Sequence, residues 1–168
     1  MNKKIGKFKY FPSFSAGEFG HGLLKNHKFK DELTCRFYTE EFPEEFRYTD
    51  FLITAGAHKS RKDFYNELGF KRDTNLIMGD SGGYQIASGA IKWKPELKTV
   101  VFDWLENNSD IAMNLDIPPR LKYTGKFKEC FDISMENFKY FNEKQTGRTK
   151  FLNVLQGEDD TTYKEWYT

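Results

Sequence analysis

Long apolar runs are missing from this sequence, and cysteine is scarce. No uninterrupted apolar stretch in the 168 residues exceeds three residues, so we expect neither a membrane span nor a signal-peptide core. Cys35 and Cys130 are too far apart for a zinc-ligand pair and too few for a disulfide framework. We therefore expect reduced thiols and a cytoplasmic location.

Net charge is also nearly absent, with 26 Lys and Arg against 25 Asp and Glu, so composition alone does not indicate a nucleic-acid-binding protein. The charges are unevenly placed. Residues 1–30 hold seven Lys and one Glu, whereas residues 31–50 hold seven acidic residues and two Arg. The basic segment can contact phosphates or fold against its acidic neighbour, and both interpretations remain open. His21 and His27 lack partners at metal-ligand spacing, which argues against a metal site here.

Short apolar runs alternate with helical patterns along the rest of the chain, and the aromatic fraction of 17% predicts a core rich in Phe and Tyr. Strands are predicted at 51–55, 76–79, 111–115 and 151–155. A first helix is predicted from Ser60 to Leu68. A second begins at Pro95 and has its apolar face at Leu97, Val100, Val101, Trp104 and Leu105. A third has Phe127, Phe131, Phe138 and Phe141 on one face, and a fourth begins with Tyr163, Trp166 and Tyr167. Such alternation predicts an α/β fold with a parallel sheet.

Two parallel architectures fit four βα units. A flavodoxin-like or Rossmann sheet is one, although neither a dinucleotide-binding glycine motif nor a Walker A motif is present. An incomplete TIM (β/α)8 barrel is the other, because a full barrel needs about 250 residues and four units make half of it. In that interpretation residues 1–48 form an irregular N-terminal segment and residues 49–168 form the N-terminal half of the barrel.

Polar residues follow each predicted strand, where parallel α/β proteins bind ligands. The ends of the second, third and fourth strands bring two carboxylates, two carboxamides, a glycine pair and a tyrosine to one rim. These residues are Asp80, Gly82, Gly83, Tyr84, Gln85, Asp116 and Gln156. Carboxylates accept from N–H groups and a glutamine both donates and accepts, so the rim suits a planar base of the guanine type. Taken singly, Asp80 and Asp116 also fit as turn residues, and His58 fits as a packed loop histidine.

Four segments resemble the tRNA-guanine transglycosylase family in order and spacing. D-S-G-G-Y-Q at 80–85 resembles that family's D-S-G-G-[FY]-Q signature, and S-D-I-A-M-N-L-D at 109–116 resembles its third strand. L-N-V-L-Q-G at 152–157 and I-T-A-G-A-H at 53–58 resemble two further segments. The resemblance implies a TIM barrel that replaces guanine in a nucleic acid by a 7-deazaguanine, as in queuosine formation, through a covalent ribosyl-enzyme intermediate.

The resemblance also implies roles for individual residues. Asp80 would be catalytic and would move the proton at the base nitrogen. Asp116 would read the amine edge of the base and Gln156 its carbonyl edge. The remaining implied substrate-binding residues are Ser81, Gly82, Gly83, Tyr84, Gln85 and Gly157. Among these, Tyr84 would stack on the base.

Some family features have no counterpart here. The chain lacks the segment that carries the family's nucleophilic aspartate, and it lacks the cysteine motif of the family's zinc site, so no cofactor is expected in this chain. The D-I-P-P segment at 116–119 is more like phage-type relatives, some of which act on DNA. The expected partners are therefore tRNA or DNA, guanine or a 7-deazaguanine, and a second copy or a partner chain that completes the barrel. A non-catalytic guanine-binding module and an unrelated hydrolase or glycosidase are the alternatives.

Overall fold

A computed structural model describes residues 11–14, 38, 40, 43–60, 62, 63, 66 and 70–167. Four parallel strands alternate with helices in a mixed α/β arrangement, and a two-residue strand extends the sheet. In chain order the elements are β1 Ser13–Phe14, β2 Asp50–Thr54, α1 Ala55–His58, β3 Leu76–Asp80, α2 Gly83–Ser88, α3 Leu97–Asn108, β4 Ile111–Met113, α4 Phe127–Lys144, β5 Lys150–Leu152 and α5 Asp160–Tyr167. Short 3-10 turns lie at Glu44–Phe46 and Leu121–Tyr123.

The sheet runs in simple chain order. The strands are hydrogen-bonded as β1-β2-β3-β4-β5, and every neighbouring pair is parallel. A doubly wound sheet reverses its strand order at a switch point, and no reversal occurs among the described strands. The register pairs Thr54 with Asp80, so β2 and β3 end side by side.

The four predicted strands are confirmed, although three of them end earlier than predicted. Ala55 begins α1 instead of ending β2, β4 ends at Met113 and β5 ends at Leu152. After β4 the backbone turns, because the N–H of Asp116 donates to the carbonyl of Asn114 at 2.9 Å. Asp116 and Gln156 therefore lie on loops, whereas Asp80 is the last residue of β3.

The helix predicted from Pro95 begins two residues later, at Leu97. The N–H of Leu97 closes a turn onto the carbonyl of Lys94 at 2.9 Å, and that turn holds Pro95 outside the helix. Val101, Trp104 and Leu105 are buried as the spacing predicts, but Val100 is 42% exposed.

The aromatic helix predicted along Phe127–Phe141 is α4. Phe127 and Phe141 are buried and Phe131 is half-buried, whereas Phe138 is exposed at the end of the same face. In α5, Trp166 is buried and its ring centroid lies 5.5 Å from that of Phe131, while Tyr163 and Tyr167 are exposed.

Aromatic side chains pack much of the core, as the composition predicts. The Phe51 ring lies 5.3 Å from Phe70, centroid to centroid, and the Phe102 ring lies 5.1 Å from Phe141 and 5.6 Å from Phe151. Such pairs join the helices to the sheet, and burying each ring removes a large apolar area from water.

Several sequence predictions lie outside the described residues. These are the basic segment at 1–30 apart from residues 11–14, His21, His27, Cys35, and most of the helix predicted from Ser60 to Leu68. Within the part of the chain that the structure describes, no helix is both long enough and apolar enough to cross a membrane.

Candidate functional site

Asp80 lies at the carboxyl end of β3, beside the end of β2. Its Oδ2 accepts a hydrogen bond from the hydroxyl of Thr54 at 2.8 Å, and its Oδ1 accepts from the backbone N–H of Gly82 at 3.3 Å. The side chain remains half-buried. These two bonds fix the carboxylate at the rim while leaving it accessible.

The glycine pair after Asp80 allows three loops to meet. Gly82 has a φ of 92°, a left-handed conformation that favours glycine, and a Cβ there would lie 3.3 Å from the Cα of Gly56. A Cβ on Gly83 would overlap the carbonyl oxygen of Asp116. Gly83 thus brings the loop after β3 against the loop after β4.

Asp116 is the most perturbed carboxylate of the rim. Its side chain is buried, and its Oδ2 accepts from Nε2 of Gln156 at 2.7 Å. Burial raises the pKa of Asp116 to about 6; the hydrogen bond from Gln156 and the charge of Arg120 act against this rise, and the charge of Asp80 adds to it. The two aspartates that sequence reasoning selected are thus electrostatically coupled.

Gln156 is held from its other side by Arg120, a residue that sequence reasoning missed. A guanidinium nitrogen of Arg120 donates to Oε1 of Gln156 at 2.9 Å. The rim therefore contains a continuous chain of side chains from Arg120 through Gln156 to Asp116. Arg120 comes four residues after Asp116, in the same loop, and this position was the only signal in the sequence that could have identified it.

Helix α4 anchors the loop that carries Asp116. The backbone N–H of Ile117 donates to Oγ of Ser134 at 2.8 Å, and Nδ2 of Asn137 donates to the carbonyl of Leu115 at 2.9 Å. Both side chains are buried. Polar residues on the inner face of a helix thus replace the backbone pairing that the loop lacks.

Three buried polar atoms at the rim have no hydrogen-bond partner among the residues that the structure describes. They are Oγ of Ser81, Oε1 of Gln85 and Oδ1 of Asn114. More than nine in ten buried polar groups in proteins are hydrogen-bonded, so these atoms call for a water or a ligand. Ser81 and Gln85 were among the predicted substrate-binding residues.

The other predicted site residues have different surroundings. Tyr84, in the first turn of α2, is 59% exposed and so presents a free ring face. Gly157 packs against α5, because a Cβ there would lie 2.7 Å from Cγ of Tyr163, which makes it a positioning glycine for Gln156. His58 is buried, with its ring centroid 6.4 Å from that of Trp104, so it packs behind the rim.

Metal chemistry gains no support from the described residues. They contain no group of three or more His, Cys, Asp or Glu side chains that could hold an ion. Cys130 is a buried free thiol whose pKa is raised to about 11, chiefly by burial and then by Glu129. Such a thiol stays protonated and is a poor nucleophile.

These features define the class of molecule: an α/β protein with a polar rim at the carboxyl ends of parallel strands. No family model, curated protein or solved structure matches the chain. The functional assignment therefore depends on the rim residues and on the family resemblance that they carry.

Proposed function

We propose that this chain is the base-binding half of a tRNA-guanine transglycosylase-like barrel, which exchanges guanine in a nucleic acid for a 7-deazaguanine. The observation that carries the proposal is the buried pair of Gln156 and Asp116, bonded at 2.7 Å, with the Asp116 loop packed against the Gly83 turn directly after Asp80. The chain-order parallel sheet supports four successive units of a barrel.

The hydrogen-bonding groups of the rim match the edge of a guanine-type base. Asp116 offers carboxylate acceptors for the ring N–H and the exocyclic amine, and the second N–H of Gln156 is a donor for the ring carbonyl. The exposed ring of Tyr84 is suited to stack on the base, and the unpaired atoms of Ser81 and Gln85 supply further polar contacts. The target nucleotide must leave its stack to reach such a rim.

Asp80 is the group best placed to move protons. Its half-buried carboxyl group, positioned by Thr54 and Gly82, would in its acid form give its proton to the departing base nitrogen, and the resulting carboxylate would then take a proton from the ring N–H of the incoming base. Exchange also requires a carboxylate that attacks the anomeric carbon and forms the ribosyl ester. We assign that nucleophile to a partner chain that completes the barrel, because no segment of these 168 residues resembles the family's.

A basic cleft beside the rim supports a nucleic acid as the substrate. Two adjoining cavities of about 400 Å³ each are lined by Lys59, Lys62, Lys92 and Lys94, together with the acidic Glu96 and Asp103. None of these four lysines is ion-paired with a carboxylate in the described part of the chain. Lys59 connects the cleft to the rim, since its Nζ donates to the carbonyl of Gly56 at 3.2 Å.

Lysines in this arrangement suit phosphates, whose contacts are salt-sensitive and do not depend on sequence. The cleft therefore serves tRNA and DNA equally well, and both remain substrates of the proposal. The proposal includes a cytoplasmic location, in the host cell if the protein is viral.

The test is incorporation of radiolabelled guanine into unmodified tRNA and into duplex DNA, with the chain alone and with its candidate partner. For the wild-type chain we expect label in one of the two polymers, and for Asp80→Asn we expect none. Asp132→Asn is the control, because it changes an exposed carboxylate paired with Lys128, and it should give full incorporation. Full activity of Asp80→Asn would remove Asp80 from the mechanism.

A non-catalytic guanine-binding module is the second candidate, because the chain lacks a segment like the family's nucleophile. That function predicts guanine binding that Asp116→Ala weakens, but no incorporation of label with any partner. Release of free base or sugar without incorporation would instead indicate a hydrolase.

A further inference from the structure

A glutamine amide has nearly the same shape when it is turned by 180°, but its oxygen and nitrogen exchange places. The orientation of the Gln156 amide therefore decides whether the rim presents a donor or an acceptor to a bound base. In this structure both ends of the amide are engaged by charged side chains. Oε1 accepts from Arg120 at 2.9 Å, and Nε2 donates to Asp116 at 2.7 Å.

Arg120 allows one orientation only. A guanidinium has donors and no acceptor, so it can bond the oxygen of the amide but not its nitrogen. If the amide turned, its NH2 group would face the guanidinium and its oxygen would face the carboxylate of Asp116. Both contacts would then be repulsive, within a rim where Gln156 and Asp116 are buried.

From this geometry we infer that Arg120 is a specificity-determining positioning residue, which orients Gln156 so that the site prefers 6-oxopurines to 6-aminopurines. The inference rests on the proposed base-binding function. With the amide fixed, its second N–H points to the position of the base's 6-substituent. A 6-oxo group accepts that hydrogen bond, whereas a 6-amino group in the same position brings a donor against a donor.

Arg120 acts through Gln156. Its own side chain is largely exposed, and no other hydrogen bond or ion pair of this side chain is present in the described part of the chain. Replacing it by an uncharged residue should therefore leave the fold intact while removing one of the two contacts that orient the amide, so that Asp116 alone holds it. Asp116 reads a different part of the base, the 2-amino edge, so preferences based on that edge should survive.

The test compares the dissociation constants of radiolabelled hypoxanthine, adenine and guanine by equilibrium dialysis with the full chain. Hypoxanthine against adenine reports the 6-substituent together with the ring N–H, and guanine against hypoxanthine reports the 2-amino group. Because Asp116, which would accept from the ring N–H, is the same in the wild-type chain and in Arg120→Met, a change in the first ratio between them reports the 6-position. For Arg120→Met we expect the hypoxanthine-over-adenine preference to fall about tenfold while the guanine-over-hypoxanthine preference is retained. Arg120→Lys, which keeps a cationic donor, should restore much of the lost preference.

Arg148→Met is the matched control. Arg148 is also exposed, and it donates a 3.3 Å hydrogen bond to the side-chain amide of Asn107, which does not belong to the rim. The variant should change neither ratio. An unchanged hypoxanthine-over-adenine preference in Arg120→Met, or an equal loss of both preferences, would overturn the role of Arg120 while leaving base binding established. Failure of the wild-type chain to bind any of the three bases would instead overturn the proposed function and this inference with it.

Discussion

The two ends of the parallel sheet both contain buried polar side chains, but these side chains have different partners. At the amino ends of the strands they bond mainly to backbone: Asp110 accepts from the N–H of Ile77 at 2.8 Å, and Thr149 donates to the carbonyl of Ser109 at 2.8 Å. At the carboxyl ends several bond to other side chains, as in the Arg120–Gln156–Asp116 chain, although Ser134 and Asn137 bond to backbone there.

The contrast distinguishes structural polarity from polarity available to a ligand. A side chain that satisfies a backbone group at a strand or helix end completes the fold, and its loss leaves a buried orphan. Side chains that satisfy one another can exchange those bonds for bonds to a base. The unpaired atoms of Ser81, Gln85 and Asn114 at the carboxyl ends fit this interpretation. The amino ends also have two such atoms, Oε2 of Glu106 and Oγ of Ser109, so the contrast is one of degree.

The largest effect should come from Gly83→Ala, which places a methyl group on the carbonyl oxygen of Asp116. The loops must separate, so we expect a loss of about 3 kcal/mol in the free energy of unfolding and loss of guanine binding. Gly125→Ala is the control for strain without a clash: its φ is positive, at 74°, unlike that of Gly83, and a Cβ there meets nothing within 4 Å. Strain alone should cost about 1 kcal/mol there. Equal losses in urea denaturation would contradict the loop contact.

Asp116→Asn should stabilise the protein above neutral pH. The folded-state pKa of Asp116 is raised from 3.8 to about 6, so between these values the folded state binds more protons than the unfolded state. The free energy of unfolding therefore falls as pH rises through this window, by up to about 3 kcal/mol, and the variant lacks that fall. Its advantage in urea denaturation should be small near pH 3.5 and full at pH 8. A pH-independent difference would contradict the raised pKa.

Asp110→Ala tests the opposite end of the sheet. It removes the acceptor of the Ile77 N–H, and we expect a loss of about 2 kcal/mol in the free energy of unfolding. Guanine binding by the folded fraction should be unchanged, because Asp110 lies at the amino end of β4. Weaker binding in proportion to the lost stability would show that the two ends are not separate in function.

Thr54→Val should show the reverse pattern at the carboxyl end. It removes one hydrogen bond to Asp80, worth about 1 kcal/mol of stability, and keeps the β-branched shape suited to a strand. We expect the rate of guanine exchange to fall several-fold because the Asp80 carboxylate is less well positioned. An unchanged rate, with the stability loss present, would make Thr54 a purely structural partner of Asp80.

The strands and the main rim residues could be predicted because they depend on local signals. Apolar runs marked β2 to β5, and Asp80, Asp116 and Gln156 were found because each comes at or shortly after the end of a strand. Val100 shows where periodicity fails, since its spacing matches the buried face of α3 but nothing covers it enough to bury it.

The partners of the rim residues could not be predicted, because they join positions far apart in the chain. Thr54 meets Asp80 across 26 residues and Arg120 meets Gln156 across 36. Both contacts depend on strand register and loop shape, which no local pattern encodes. The same holds for Ser134 and Asn137, which read as ordinary polar helix residues although they support the Asp116 loop.

The most direct test of the central claim is guanine binding by a matched pair of variants, Asp116→Asn and Asp110→Asn. Both remove one carboxylate charge beside β4, at its two opposite ends, and both keep an oxygen that can accept the existing hydrogen bond. With radiolabelled guanine in equilibrium dialysis, we predict wild-type affinity for Asp110→Asn and at least about tenfold weaker binding for Asp116→Asn. Equal affinities of the two variants would contradict the assignment of the carboxyl-end rim as the base-binding site.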